Sequence, residues 1–599
     1  MKSLFKRTGH VCLQKTCILS FPVTTLTLFC AGAQAAMPPS APGAGSLGNQ
    51  LRQEAALTPA PPVSAPLVVP AGEPAQGRLS ADNHTTVVVK QVVFTGNPPG
   101  LKGLSEAELQ RHLVSDLNRP RTFAGLEMMA RKITELYRHN GLLVARAILP
   151  PQTVRDGVLT IEIIPGRYDQ AQLSNTAAVR DGLVRQIVRA TTPEGEVLTR
   201  AQLEREALLL GEIPGVNAQV SMKAGSRPGT TTPDITLTPG KRFGGYAGLD
   251  NQGDRTTGRS RVTAGFYADG LLGTGDQLQV SLLDAYEKSD LFSAGLDYST
   301  LAGGYGTRVG LNYSHLNYHY NLSGLGFNGY SDNWGLYATQ PWIRTSRARV
   351  DVRLDAGQQF LTDKYPSALF AGAGQDGEGR KQVSLGTLSV TGSVADLPGG
   401  VTGFGLSGTT GDVDLRSELS RGFSAAADSG GQFARFNWQL NHDQQVWGPF
   451  SLYVNLNGQL ANQNLDASQK FLMGGPTAVR AYDTGDGAVD EGVVGTAEVR
   501  SRWAVPVSGW VGAFPQMTVA AFYDQGSGQQ YRDNTDAVSG GRLATRNNLN
   551  LAGGGLYASL ADAGNYALTL TWAHRTGNAD PNAVHDDHDR FWMSAVKTF

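Results

Sequence analysis

The stretch Ala434-Arg-Phe-Asn-Trp-Gln-Leu440 alternates apolar and polar side chains at every position. A two-residue period places Ala434, Phe436, Trp438 and Leu440 on one face of an extended strand and Arg435, Asn437 and Gln439 on the other. The pattern recurs in both directions along the chain. Phe292, Ala294, Leu296 and Tyr298 interleave with Ser293, Gly295 and Asp297, and Leu452, Val454, Leu456 and Leu460 interleave with Tyr453, Asn455, Asn457 and Gln459. Helical periodicity is absent from residues 241–599, where about sixteen candidate strands follow one another at roughly 22 residues per strand and connection. This zone also holds 53 of the 74 glycines, all eight tryptophans and 17 of the 19 tyrosines. Glycine permits strong twist and tight turns and leaves space where a side chain would project.

A soluble sandwich would show the same alternation, but this zone sustains it without a core-forming run. In lipid every backbone N–H and C=O must be paired internally, so only helices or closed barrels can span. No later stretch approaches 18 consecutive apolar residues, the length a spanning helix needs. The expectation is a transmembrane β-barrel of about 16 antiparallel strands with a polar interior and aromatic girdles. The C-terminal run Phe591-Trp-Met-Ser-Ala-Val-Lys-Thr-Phe599 reads as its last strand. Phe591, Met593, Ala595 and Phe599 share a face with Lys597, whose long stem can snorkel.

Residues 1–36 carry Lys2, Lys6, Arg7 and Lys15, an apolar stretch from Ile18 to Ala33, and the small-x-small site Ala33-Gln-Ala35. That order is a secretory signal peptide. All three cysteines, Cys12, Cys17 and Cys30, fall inside it, so the mature chain is expected to have no disulfide and no thiolate metal site. Its removal leaves 47 basic residues against 52 acidic ones, a net charge of −5. Such a balance gives no general polyanion-binding field, and no nucleic-acid partner is expected. Residues 37–86 hold nine prolines between Met37 and Ser80 and read as an extended linker. Within them Ser46 to Leu57 can form about three helical turns.

Residues 87–240 switch to mixed α/β patterning, and the order repeats. In residues 87–166 a strand at Val87 to Phe94 precedes a helix opened by Ser105 with Glu108 in capping-box spacing. A second helix from about Gly125 to His139 carries Leu126, Met129, Ile133, Leu136 and Tyr137 on one face, and strands are expected at Leu142 to Leu149 and Val158 to Ile164. Residues 167–240 repeat this with a short strand near Asp169 to Leu173, helices near Val179 to Ala190 and Thr199 to Leu210, and strands at Val216 to Met222 and Asp234 to Thr238. Two β-α-α-β-β modules therefore stand ahead of the barrel.

Nothing in the chain points to catalysis or a cofactor: no GxSxG, HExxH or Walker A sequence occurs. His315 and His319, four apart on a strand, lie about 13 Å apart at ~3.3 Å per residue and cannot share one ion. His585-Asp-Asp-His-Asp589 reads as a solvated external loop, and Asp483, Asp486 and Asp490 lack an EF-hand spacing.

The ensemble resembles the TpsB transporters of two-partner secretion, the hemolysin secretion/activation branch of the BamA-like superfamily, and the two modules resemble POTRA domains. Leu203-Glu-Arg-Glu-Ala-Leu-Leu-Leu210 with Ile213-Pro-Gly-Val216 resembles that family's helix and turn in the second module. Leu249-Asp-Asn-Gln-Gly253 and Leu271-Leu-Gly-Thr-Gly-Asp-Gln-Leu278 resemble its first barrel strands. Phe471-Leu-Met-Gly-Gly-Pro-Thr-Ala-Val-Arg-Ala-Tyr482 resembles its sixth extracellular loop, here about residues 462–493, which folds back into the lumen with an arginine at its tip. The resemblance carries over to Gly474, Gly475, Pro476, Val479, Arg480 and Tyr482, and gives Arg480 a partner on the thirteenth strand, Asp524. Ala481 stands where the family has glycine, which implies either an ordinary φ or some strain. The alternation agrees: with Met517, Val519, Ala521 and Tyr523 facing lipid, Thr518, Ala520, Phe522, Asp524 and Gly526 face inward.

The resemblance implies an outer-membrane pore that captures a large TpsA exoprotein (an adhesin, hemolysin or contact-toxin) in the periplasm and exports it without nucleotide hydrolysis. It further implies outer-membrane lipid and the barrel-assembly machinery as partners, the latter reading the terminal Phe599. It makes Ser46 to Leu57 a plug helix and Pro59 to Asp82 its linker. The expected capture mode is β-augmentation on an exposed strand edge of the first module, with Leu142, Leu143, Val144 and Ile148 as candidates beside the Met129 helix. A BamA-type or TamA-type assembly factor would share barrel and loop but carry more POTRA units, and a passive porin would need no receptor modules.

Overall fold

The alternating stretch around Trp438 lies in a 17-residue strand, Gly431–Trp447, the tenth of sixteen that close into a barrel. Each strand pairs antiparallel with its predecessor, and the last, Asp589–Thr598, pairs with the first, Phe243–Asp250. Beyond that pairing Phe599 and Gly245 exchange two backbone hydrogen bonds of 2.9 Å, so the terminal residue is stitched into the seam. The computed structural model describes residues 42–56, 67–68, 86–285, 287, 291–322, 324–366, 377–505, 515–583 and 587–599. The expected signal peptide lies outside them, as does most of the expected linker.

Side chains alternate as the sequence predicts. Phe436, Leu440, Leu452, Val454, Leu456 and Leu460 are all exposed on the outer wall, an arrangement that only a lipid solvent makes favourable. The inward set is polar and hydrogen-bonded: Arg435 donates to Asn437, and Asn437 donates to Gln459. No helix among the described residues is long and apolar enough to cross a membrane.

Ahead of the barrel the chain runs α1 (Ala44–Ala56), β1 (Leu67–Val68), β2 (Val87–Val88), β3 (Gln91–Thr95), α2 (Glu106–Leu113), β4 (Pro120–Arg121), α3 (Phe123–His139), β5 (Arg146–Ile148), β6 (Val158–Ile164), β7 (Arg167–Tyr168), β8 (Gln172–Asn175), α4 (Asp181–Thr191), α5 (Arg200–Gly211), β9 (Val216–Ala224) and β10 (Thr230–Pro239). In the first module β6 pairs parallel with β3 and antiparallel with β5. The capping boxes read from Ser105 with Glu108 and from Thr199 with Gln202 open α2 and α5. Met129, Ile133 and Tyr137 of α3 are buried against Leu159 and Ile161 of β6. The second module sets α4 and α5 on a sheet of β9, β10, β7 and β8, and β1 from the linker adds to its edge, parallel to β9.

One predicted strand is shorter than expected. The run from Leu142 to Leu149 is extended only at Arg146–Ile148. Leu142 turns into the first core, its N–H bonded to Tyr137 O at the end of α3, and Ala145 is likewise buried. Leu143 and Val144 pack instead on the core of the second module, so an apolar run that looked like one edge strand is divided between two cores. Arg200 N–H bonds Gly141 O across the same junction.

The second module rests on the barrel rim. Arg205 of α5 donates to the carbonyls of Pro341, Trp342 and Tyr305, and Arg344 reaches Glu212 at 2.9 Å and Asp351 at 2.6 Å. The rim that bears the modules is therefore the end where the first strand starts.

Candidate functional site: the inward loop and the lumen helix

Between the eleventh strand (Phe450–Ala461) and the twelfth (Glu491–Ala504) the chain returns into the barrel. A two-residue hairpin, Phe471–Leu472 with Ala488–Val489, holds its stem. Gly474 bridges Val479, and a Cβ at Gly474 would lie 2.8 Å from Asp483 O, so glycine is required by the close approach of the two arms. Gly475 follows at φ +115°, open only to glycine, and half-buried Pro476 leads into the tip. Val479 is fully buried against Gly526 of the thirteenth strand (Gln516–Gln529).

Arg480 and Asp524 meet. The guanidinium donates through Nε and Nη2, both at 2.8 Å, to the two oxygens of Asp524, which is fully buried. The Asp524 carboxylate also accepts the Arg480 backbone N–H at 3.1 Å and the Thr496 hydroxyl at 2.9 Å. The third guanidinium nitrogen lies 2.8 Å from Glu498, an inward residue of the twelfth strand, and the plane stacks 3.4 Å from the Phe522 ring centre. Glu498 in turn holds Arg500 at 2.7 Å, and Arg500 and Arg502 share Asp443 of the tenth strand. Planar bidentate pairing of this kind fixes orientation as well as charge.

The tip is tied to a third part of the wall. Trp592 of the last strand donates to Arg480 O at 2.7 Å, and Arg590 bonds Asp483. Tyr482 donates to Asn578 O and accepts from Ala552 N–H. Ala481 does not take a positive φ. Its methyl packs on Gly553 of the fourteenth strand (Asn548–Asp562), where an added Cβ would come within 2.3 Å. Most of these partners, Thr496, Glu498, Arg590 and Trp592 among them, carry no motif that singles them out in the sequence. Glu498 could have been found by the alternation applied to Asp524, because Val499 beside it faces lipid.

The helix α1 lies within the lumen at the far end from the modules. Its N-terminal Ala44 N–H donates to Asp363 at 2.7 Å, and Tyr320 donates to Pro42 O at 2.9 Å. Ala44 and Leu47 are buried among Leu316, Tyr318, Tyr320, Phe327 and Leu361 of the fifth to seventh strands. Toward its C-terminus Glu54 pairs at 2.9 Å with Arg261 on the second strand, so the helix crosses from one wall to the other. Asn49 and Gln53 donate to Lys470 O, Arg52 donates to Ser468 O, and Gln53 accepts from Leu472 N–H, which joins helix to loop stem. Of the candidate capture edge, Ile148 is exposed on β5, whereas Leu142, Leu143 and Val144 do not lie on it.

A sixteen-stranded barrel with a lipid-facing wall, α/β modules at one rim and an inward loop defines an outer-membrane pore preceded by POTRA modules. Residues 87–166 match the POTRA domain of ShlB type, and residues 229–361 match the haemolysin secretion/activation protein ShlB/FhaC/HecB. The chain is 30% identical to the heme/hemopexin transporter protein HuxB of Haemophilus influenzae over 563 residues, 93% of this chain and 95% of that one. It is 23% identical to the outer membrane transporter CdiB of Dickeya dadantii over 66% of this chain and 69% of that one. Its fold is similar to that of CdiB from Escherichia coli, with a TM-score of 0.65 at 18% identity over 93% of this chain and 98% of that one. The chain belongs to the ShlB/FhaC/HecB family, the TpsB transporters of two-partner secretion. It is an outer-membrane transporter that secretes a partner protein through its barrel, with its modules in the periplasm.

Proposed function

We propose that the exported partner is one large TpsA-type exoprotein, captured unfolded by the periplasmic modules and threaded past a withdrawn α1. The observation that carries this reading is the seating of α1. Beside the apolar seat of Ala44 and Leu47, its ends are held by polar contacts to Asp363, Tyr320 and Arg261 and its middle by bonds to loop carbonyls, polar contacts that water or another chain can replace. Arg480, Asp524 and Glu498 serve as a lock that keeps the loop tip against the wall while the rest of the lumen changes. The heme/hemopexin transporter name of the Haemophilus relatives makes a heme- or hemopexin-linked exoprotein the first cargo to test.

Capture uses β-augmentation on the short β5 edge at Ile148, and the pairing of β1 with β9 supports the view that module edges accept an extended segment. No nucleotide is needed, since folding of the emerged chain draws the remainder outward. Outer-membrane lipid surrounds the wall, and the assembly machinery reads the strand ending in Phe599. Deleting residues 37–58 tests the plug: single-channel conductance and antibiotic entry rise, and unchanged values refute the assignment.

A further inference from the structure

Five aromatic rings form a continuous file beside α1. Tyr318 stacks on Tyr320 with ring centres 5.8 Å apart, Tyr320 on Phe327 at 5.2 Å, Phe327 meets Tyr365 edge-on at 6.3 Å, and Tyr365 meets Phe423 at 5.0 Å. The first three project inward from the fifth and sixth strands, Tyr365 follows the seventh, and Phe423 belongs to a helix, α6 (Glu418–Ala425), in the extracellular loop between the ninth and tenth strands. The file thus runs from the lumen wall to the outer exit. Beside it lies a lumen cavity of about 530 Å³ lined in part by Pro42, Leu47, Asp363, Tyr365 and Phe423.

The contacts of this berth to α1 are of two kinds. Apolar contact is made with Ala44 and Leu47. The polar contacts are to backbone: Asp363, itself bonded by Tyr318 at 2.6 Å, accepts an N–H, and Tyr320 donates to a C=O. A wall that offers ring faces together with one side-chain acceptor for a backbone N–H and one side-chain donor for a backbone C=O recognises polypeptide without reading its sequence. The ring spacing of 5.0–6.3 Å is close to the repeat of alternate side chains in an extended chain, ~6.6 Å.

We infer that this berth is a polypeptide-binding track: once α1 withdraws, an extended, aromatic-bearing segment of the exported chain occupies the same rings, the Asp363 carboxylate and the Tyr320 hydroxyl, and keeps α1 from returning. The inference rests on the plug reading of α1. It extends that reading by assigning Tyr318, Tyr320, Phe327, Tyr365, Phe423 and Asp363 to the cargo.

The test uses the protein lacking residues 37–58 in planar bilayers, with two unstructured peptides of about twenty residues, each long enough at ~3.3 Å per residue to thread the barrel. One is glycine and serine only, and the other carries phenylalanine at alternate positions in its middle. The phenylalanine peptide blocks the current about tenfold longer per event, the factor that ~1.4 kcal/mol of ring contact gives. Y320A/F327A in the same background removes the difference between peptides, measured as the ratio of their block times at that variant's own open current, and Y320F/F327Y restores it. In the full-length protein Y320A/F327A lowers partner export several-fold while the barrel stays heat-modifiable. Equal block by both peptides in a pore opened by the deletion overturns the track alone, whereas conductance that the deletion does not raise overturns the plug reading and the track with it.

Discussion

Replacing Arg480 with alanine removes the guanidinium from between two carboxylates that are not equally dependent on it. Glu498 keeps Arg500 at 2.7 Å. Asp524 keeps the Thr496 hydroxyl and one backbone N–H but loses both charge-assisted bonds, and it is fully buried. Breaking a buried pair from one side costs about 3–5 kcal/mol because the remaining charge is left unpaired. The cost therefore falls on the docked loop tip and shifts its docked-to-undocked ratio by about two to three and a half powers of ten at ~1.4 kcal/mol per decade. The sixteen-strand hydrogen-bonded wall is untouched, so the variant reaches the membrane and remains heat-modifiable on gels. Partner secretion falls sharply, and hydrogen exchange rises at Val479 to Tyr482. Adding D524N recovers part of the loss, since a neutral amide tolerates the site. Normal secretion by R480A, or a double variant no better than the single one, would refute the lock.

Three further outcomes follow from the packing. Deleting residues 87–165 abolishes partner binding; because this also strips Leu143 and Val144 from the second core, I148K is the cleaner companion, and retained affinity in both moves the receptor elsewhere. Glu206 in α5 is fully buried, bonded by the hydroxyls of Thr191 and Thr192, and burial holds its carboxyl up at about 7 against an ordinary 4.5. The folded module thus binds more protons than the unfolded chain between those values, so stability is greatest below about 4.5 and falls by about 3 kcal/mol as pH rises to about 7, levelling off above; pH-corrected hydrogen exchange of α4 and α5 tracks this loss, and E206Q flattens it. G553A drives a methyl into Ala481 and also crowds His574 O at 2.8 Å, so it impairs secretion, and A481G restores part of it; an unimpaired G553A contradicts the packing of the tip.

The barrel was legible because lipid imposes its rule on strand after strand: residues that meet the hydrocarbon are predominantly apolar, and the period of two recurs along the zone even where an outward residue such as Lys597 breaks it. Asp524 was legible for the same reason, being an acid on the inward register of a strand whose other face is apolar. Glu498 obeys the same rule one strand earlier, and only the loop's return made it a partner of Arg480. The stretch from Leu142 to Leu149 failed differently. Its apolar run satisfies two cores at once, and sequence periodicity carries no information about a neighbouring module. The helix α1 sits at the limit of legibility, since about three amphipathic turns do not by themselves say what the helix packs against until the aromatic wall that covers Leu47 is known.

The contact between Ala481 and Gly553 carries a consequence for descent. The room at this contact is for one methyl, and it lies on the loop side: at 553 an added methyl meets His574 O at 2.8 Å as well as the Ala481 methyl at 2.3 Å. Removing the methyl of 481 relieves only the closer of these two contacts, so the wall is held to glycine whichever residue stands in the loop. The glycine at 553 is therefore what permits alanine at 481, and a substitution on the wall is expected to be tolerated less well while the loop keeps its methyl.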